Sequence, residues 1–381
     1  MTSLTEESVH SAAGPRMPGG TSLCSRAADA HGGNVFRVAR ERGWDWREIL
    51  DFSANINPLG VPGSVRRAMK ESLEKICHYP EVGAPELCRA ASAAWGVSEN
   101  QIIAGNGATE LLYFLARALK PRRVHLVLPA FTEYRRALAD CEVTVTRCRA
   151  AEDYAMPLPR IASDVRRYQP DLVLLTNPNN PTGGLMDPAE LGHWLAEELP
   201  PGTRAILDES FLDFTRETSL AKESARLPGL YVVRSLTKFY ALPGLRLGCM
   251  IASEDNVREL EKVREPWQTS VLAEQAGVAA LRDNGYRRRS LELIETGRSR
   301  IEERLKRIEG LRAVPPAANF LLVHCDCSVP DLQAFLLPHK ILIRDLTNVE
   351  GVEGNAFRIA IRTHEENARL LALLEDFFRS C

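Results

Sequence analysis

Between residues 120 and 255 the chain repeats one arrangement, in which a short, nearly all-apolar run is followed by a polar stretch. The runs are "RRVHLVLP" (122–129), "PDLVLLTNP" (170–178), "TRAILDES" (203–210), "LYVVRS" (230–235) and "RLGCMIAS" (246–253). A strand without polar alternation must be covered on both faces, as in a parallel sheet flanked by helices. Segments such as "DPAELGHWLAEEL" (187–199) supply those helices, with Asp187 placed to cap and Pro188 at the first helical position. The alternation predicts an α/β fold on a mostly parallel sheet with helices on both sides.

At 381 residues the chain is long for one core, which predicts a large domain plus a smaller one. Residues 1–30, rich in Ser, Gly, Ala and Pro, read as a mobile tail. The charged segment "NGYRRRSLELIETGRSRIEERLKRIEG" (284–310) reads as a long linking helix. After it, "NFLLVHCD" (319–326), "ILIRDL" (341–346), "FRIAIR" (357–362) and a helix from about 364 predict a small α+β domain over 284–381.

The 48 Lys+Arg nearly cancel the 50 Asp+Glu, so charge gives no reason to expect a nucleic-acid partner. There is no apolar run of membrane-spanning length. Glu6 and Glu7 interrupt the amino terminus, which does not read as a secretory signal. Nine cysteines without framework spacing suit reduced thiols in a cytoplasmic protein. "HCDC" (His324–Cys327) has no second ligand pair, so no metal is expected.

Several polar residues end or interrupt apolar runs. Asp208 closes "AILD" at the carboxyl end of a strand, where open α/β sheets bind ligands. It is either a loop cap or a carboxylate meeting a protonated heterocyclic nitrogen. "GNGATE" (105–110) precedes a helical stretch and frees backbone N–H groups for an anion, although such turns are frequent in other roles. "LTNPNNPTGG" (175–184) is a stiff loop able to aim an amide, Asn180 being the strongest candidate, or simply a sharp turn. In "RSLTKFYALPGLRLG" (234–248), Lys238 stands among hydroxyls and apolar residues, eight positions before Arg246. It is a surface lysine, or one held to form an imine with an aldehyde beside a phosphate seat.

Taken in order, "GNGATE", "PAFTEY", "NPNNPTG", "DES" and "SLTK" with its Arg resemble the fold-type I pyridoxal-phosphate enzymes, over residues 31–381. The branch resembled includes the histidinol-phosphate aminotransferases. The resemblance implies a large cofactor-binding domain over 76–283, with 31–75 contributing to the small domain and the active site. It also implies that Lys238 carries the cofactor aldehyde, Asp208 pairs with its ring nitrogen, Asn180 bonds its phenolic oxygen and Phe131 stacks on it. Ala108, Thr109, Ser235 and Arg246 would hold the phosphate, and Tyr79 would reach it from the second subunit of a homodimer.

Within that family, "HGGN" (31–34) and "DFSANINPLG" (51–60) resemble the decarboxylase branch that acts on L-threonine O-3-phosphate in cobalamin synthesis. Phe211 stands where the aminotransferases usually carry a tyrosine. The resemblance assigns a small phosphorylated amino acid to His31, Gly32, Asn55, Asn180, Arg344 and Arg358, and leaves Arg362 open between substrate contact and ion pair. An aminotransferase acting on histidinol phosphate is the alternative, and a cofactor-binding regulator without turnover lacks the added DNA-binding segment it would need.

Overall fold

A computed structural model describes residues 32–380 of the chain. The expectations for the 1–30 tail and for His31 lie outside the described residues. In the amino-terminal two thirds the strands are β1 (Leu50–Asp51), β2 (Ile102–Gly105), β3 (Arg123–Leu128), β4 (Glu142–Arg147), β5 (Leu172–Thr176), β6 (Arg204–Asp208), β7 (Leu230–Ser235) and β8 (Gly248–Ile251). Seven of them form one sheet in the order β2-β8-β7-β6-β5-β3-β4. β8 runs antiparallel to both of its neighbours, and the remaining pairs are parallel. Every residue of β5, β7 and β8 is buried. Alternate residues of these strands serve two separate cores: Leu174, Ile206 and Val233 on one face, Val173, Leu207 and Val232 on the other.

Two strands of this sheet are absent from the sequence reading, for different reasons. β4, "EVTVTR", is an edge strand paired only with β3, and its partial exposure gives it none of the solid apolar character of its neighbours. β2 is four residues long and merges into the glycine turn that follows. The helix at Pro188–His193 is capped as its sequence predicts, Asp187 Oδ1 accepting from Ala189 N (2.8 Å) and Glu190 N (3.0 Å). It finishes as a π-helical turn, Trp194–Glu198.

The 22-residue helix Asn284–Leu305 leads to β9 (Leu311–Ala313), β10 (Phe320–Cys325), β11 (Ile341–Leu342), β12 (Arg344–Asp345) and β13 (Ala356–Ala360). Four of these make an antiparallel sheet in the order β12-β13-β10-β9, with the helix His364–Ser380 closing the chain. "ILIRDL" is not one strand. It divides at Ile343, whose N–H donates to Gln333 Oε1 (2.9 Å); β11 pairs in parallel with β1, and β12 joins the antiparallel sheet. "FRIAIR" also stops early, because Arg362 N donates to Asn367 Oδ1 (2.9 Å) and the backbone turns toward the last helix. Arg362 therefore lies beyond the strand carrying Arg358. Through β1 and the backbone bonds of Phe52 to Leu342 and Ala360, residues 50–52 are tied to the carboxy-terminal strands. Among the described residues no helix is long and apolar enough to cross a membrane.

Candidate active site

A cavity of about 840 Å³ opens between the strand ends of the large sheet and the β12–β13 edge of the smaller one. Of the residues singled out from sequence, Gly32, Asn55, Thr109, Phe131, Asn180, Lys238, Arg246, Arg344 and Arg358 line it, as do Phe211 and Arg362. Ala108, Ser235 and Asp208 are buried and are not among the lining residues. Tyr79 does not reach the cavity of its own chain; it is 81% exposed and packs against Trp267 at a centroid distance of 4.9 Å.

One end of the cavity is built from a helix start. The helix Ala108–Leu119 begins after Gly107, whose φ is +89°. Its first N–H groups lack intrahelical partners. Register places Gly248 opposite both Gly105 and Ser235, so β8 enters the sheet beside that helix. A Cβ on Gly248 would lie 2.7 Å from Ala108 N and 2.9 Å from Arg234 O. A Cβ on Gly107 would lie 2.7 Å from Arg246 Nη2. Only glycines let helix, strand and guanidinium meet here. Ser235 Oγ and Thr237 Oγ1, 2.7 Å apart and buried, complete a cluster of donors suited to a phosphate.

Lys238 Nζ donates to Thr237 Oγ1 at 3.0 Å. Burial, then the nearby Arg246 charge, lowers its pKa to about 8, against the opposing pull of Asp208. Roughly a tenth of such an amine is neutral at pH 7, far more than for an ordinary lysine. Asp208 is buried at the end of β6; its Oδ2 accepts from Tyr134 Oη (2.7 Å) and its Oδ1 from Ser210 N (2.9 Å). Burial still pushes its carboxyl above the ordinary range, so a cation brought to it would be strongly held. Tyr134 Oη also lies 2.8 Å from Thr176 Oγ1. Sequence reasoning missed Tyr134, although it belongs to the quoted "PAFTEY" and its ring packs edge-on to Phe131.

The 177–184 loop separates its three asparagines by role. Asn177 bonds both ways with the Met186 backbone, and Asn179 donates to Pro129 O and Thr182 Oγ1 (3.0 Å each). Asn180 alone presents its amide to the cavity, where Oδ1 accepts from Arg358 Nη1. That leaves its N–H groups to donate.

The far end of the cavity is cationic. Arg344 and Arg358 are directly opposed partners across β12 and β13. Like charges placed opposite each other in a sheet are mutually destabilising. Burial first, then Arg344, lowers the Arg358 pKa to about 9. Arg358 Nη2 donates to Ser53 O (3.1 Å), its guanidinium lies 5.3 Å from the Phe320 ring centroid, and its buried Nε–H has no partner. Two of its five N–H groups are committed, so three remain for an anion. Asn55 Oδ1 is likewise buried and unpartnered. Phe211 packs edge-on to Phe320, at 4.9 Å between centroids, and brings no hydroxyl to the site. Arg362 is engaged by Glu366 (Nε 3.1 Å, Nη2 2.9 Å) and by Asp51 O (3.1 Å), which is the ion-pair alternative.

The fold is α/β, and its cavity sets the buried Lys238 between a helix start lined with hydroxyls and an opposed pair of arginines. The family model for aminotransferase class I and II matches residues 47–374. The chain is 38% identical over 355 residues to the threonine-phosphate decarboxylase of Salmonella typhimurium, covering 91% of this chain and 96% of that one. Among solved structures, the histidinol-phosphate aminotransferase of Clostridium acetobutylicum superposes with a TM-score of 0.81 at 28% identity, covering 87% of this chain and all of that one. The L-threonine-O-3-phosphate decarboxylase of Porphyromonas gingivalis does so with a TM-score of 0.78 at 26% identity, over the same shares of the two chains. The chain belongs to the class I and II aminotransferase family.

Proposed function

We propose that this chain is a pyridoxal-phosphate-dependent decarboxylase. It converts L-threonine O-3-phosphate to (R)-1-aminopropan-2-yl phosphate and carbon dioxide, supplying the aminopropanol linker of adenosylcobalamin in the cytoplasm. The observation that carries this reading is the opposed pair Arg344 and Arg358, two guanidiniums whose repulsion a doubly charged phosphate relieves.

The cofactor fits the residues present. The donors at Ala108, Thr109, Ser235 and Arg246 suit its phosphate, with the partner subunit of a homodimer adding a tyrosine at position 79. Asp208 would keep the ring nitrogen protonated, Asn180 would donate to the phenolic oxygen and Phe131 would cover the ring. When bound, the cofactor supplies an electron sink for the bond broken at the substrate Cα. Lys238 would hold the cofactor's aldehyde, and its Nζ would hold and return a proton at the substrate Cα.

Which Cα bond breaks is a matter of orientation. Arg344 and Arg358 take the distal phosphate, with Gly32, Asn55 and Asn180 closing on the rest of the substrate and His31 assigned beside them from sequence. The carboxylate would then be kept off those arginines, which suits its loss as carbon dioxide. The seat for the cofactor also suits amino transfer from histidinol phosphate, the substrate in the name of the Clostridium protein. Phe211, in place of the tyrosine usual in the aminotransferases, argues against that reading.

Purified, cofactor-loaded enzyme is expected to release carbon dioxide from threonine phosphate and little from threonine. It is expected to form no glutamate from histidinol phosphate and 2-oxoglutarate. Carbon dioxide release no faster than in an enzyme-free control rejects the proposal.

A further inference from the structure

The turn at residues 51–53 carries bonds that none of these roles uses. Asp51 Oδ1 accepts from Ser53 N (2.8 Å) and from Ser53 Oγ (2.5 Å). Ser53 Oγ accepts in turn from Gly33 N (2.9 Å), and Ser53 O accepts from Arg358 Nη2 (3.1 Å). Gly32 lies so close that a Cβ there would be 2.2 Å from the same carbonyl oxygen. The turn is itself anchored, since Phe52 N donates to Leu342 O and Phe52 O accepts from Ala360 N (2.8 Å each). Arg362, tied to Glu366, donates to the Asp51 carbonyl from below.

We propose that Ser53 is a positioning residue that fixes the Gly32–Gly33 backbone and the Arg358 guanidinium in one relation, and so sets the affinity for the phosphorylated substrate. The inference rests on the reading that both groups face that substrate. Ser53 stands between them, its hydroxyl on the glycine side and its carbonyl on the arginine side. The hydroxyl both donates and accepts, a combination alanine cannot supply. Losing it leaves the Gly33 N–H, on an exposed segment, to bond water instead, and the Gly32–Gly33 backbone loses its side-chain tie to the turn. Arg362 acts one layer further out, through the Asp51 carbonyl, which gives that residue a role without substrate contact.

The test uses the full-length, cofactor-loaded enzyme. In a crystal structure of Ser53→Ala, the Gly33 amide and the Arg358 guanidinium are expected to shift by about 1 Å, enough to disturb a preorganised site. Both groups superposing on the parent within coordinate error overturns the inference, whatever the substrate. With threonine phosphate, Ser53→Ala is expected to raise KM about tenfold, with kcat changed less than about threefold and the visible cofactor absorbance retained. Asp51→Ala, which removes the acceptor from the other end, is expected to give the same split. Asp51→Asn, which keeps an acceptor oxygen, is expected to recover most of the affinity. An unchanged KM, or a loss confined to kcat, overturns the inference. Should Ser53→Ala not fold, Asp51→Ala carries both readouts. A parent enzyme that releases no carbon dioxide rejects the proposed reaction instead, and the crystallographic comparison still decides the role of Ser53.

Discussion

Lys238 shows what burial does to a single side chain. Its pKa in the folded protein, about 8, lies below the ordinary 10.5. Between those two values the unfolded chain binds more protons at this residue than the folded one, so its contribution to stability rises with pH across that window. Below pH 8 both states are protonated and the folded protein bears the whole cost of the buried charge. Cofactor-free Lys238→Met is therefore expected to be more stable than the parent at pH 7, by on the order of 3 kcal/mol, with the gap closing toward pH 10.5. Chemical denaturation at the two pH values measures this, and a gap of equal size at both contradicts the burial account. Lys238, Asp208, Asn180 and Arg246 stood out in the sequence because each is a polar residue at the end of an apolar run or inside a stiff loop. Tyr134 and Ser53 did not. Their importance lies in hydrogen bonds to Asp208, Gly33 and Asp51, and a tyrosine or serine carries no local mark of its distant partner.

At the scale of elements, the strands buried on both faces were legible, apart from the four-residue β2, and the exposed or divided ones were not. β6 and β7 announce themselves by composition, whereas β4 lacks a second neighbour and β11 and β12 split one apolar run between two sheets. Gly248 belongs to this scale, since its meaning is the distance between β8 and the helix at Ala108. Gly248→Ala forces a methyl group against two backbone atoms and is expected to cost about 3 kcal/mol of stability, as overpacking against an unyielding backbone does. It is also expected to weaken retention of the cofactor, read as loss of the visible absorbance on dialysis. A variant as stable as the parent, with the absorbance retained, would show that the helix start has room to move.

For the molecule as a whole, the two sheets meet at the cavity, with the proposed cofactor seat on one and the opposed arginines on the other. Leu73, Ile76, Tyr79, Val82 and Trp267 are exposed apolar side chains that do not line that cavity, and Tyr79 packs against Trp267, in keeping with the proposed homodimer. Sedimentation is expected to give a dimer. Tyr79→Phe is expected to leave the dimer intact and to weaken cofactor affinity about tenfold by removing one hydroxyl donor. An unchanged affinity removes Tyr79 from the site.

Which substrate anion the opposed arginines hold decides between loss of carbon dioxide and amino transfer. A crystal structure of the cofactor-loaded Lys238→Ala enzyme with threonine phosphate reads this directly. The expected result places the phosphate on Arg344 and Arg358 and turns the carboxylate away from them, out of the cofactor plane. The carboxylate on those arginines, flat beside the cofactor with the phosphate elsewhere, contradicts the decarboxylase account.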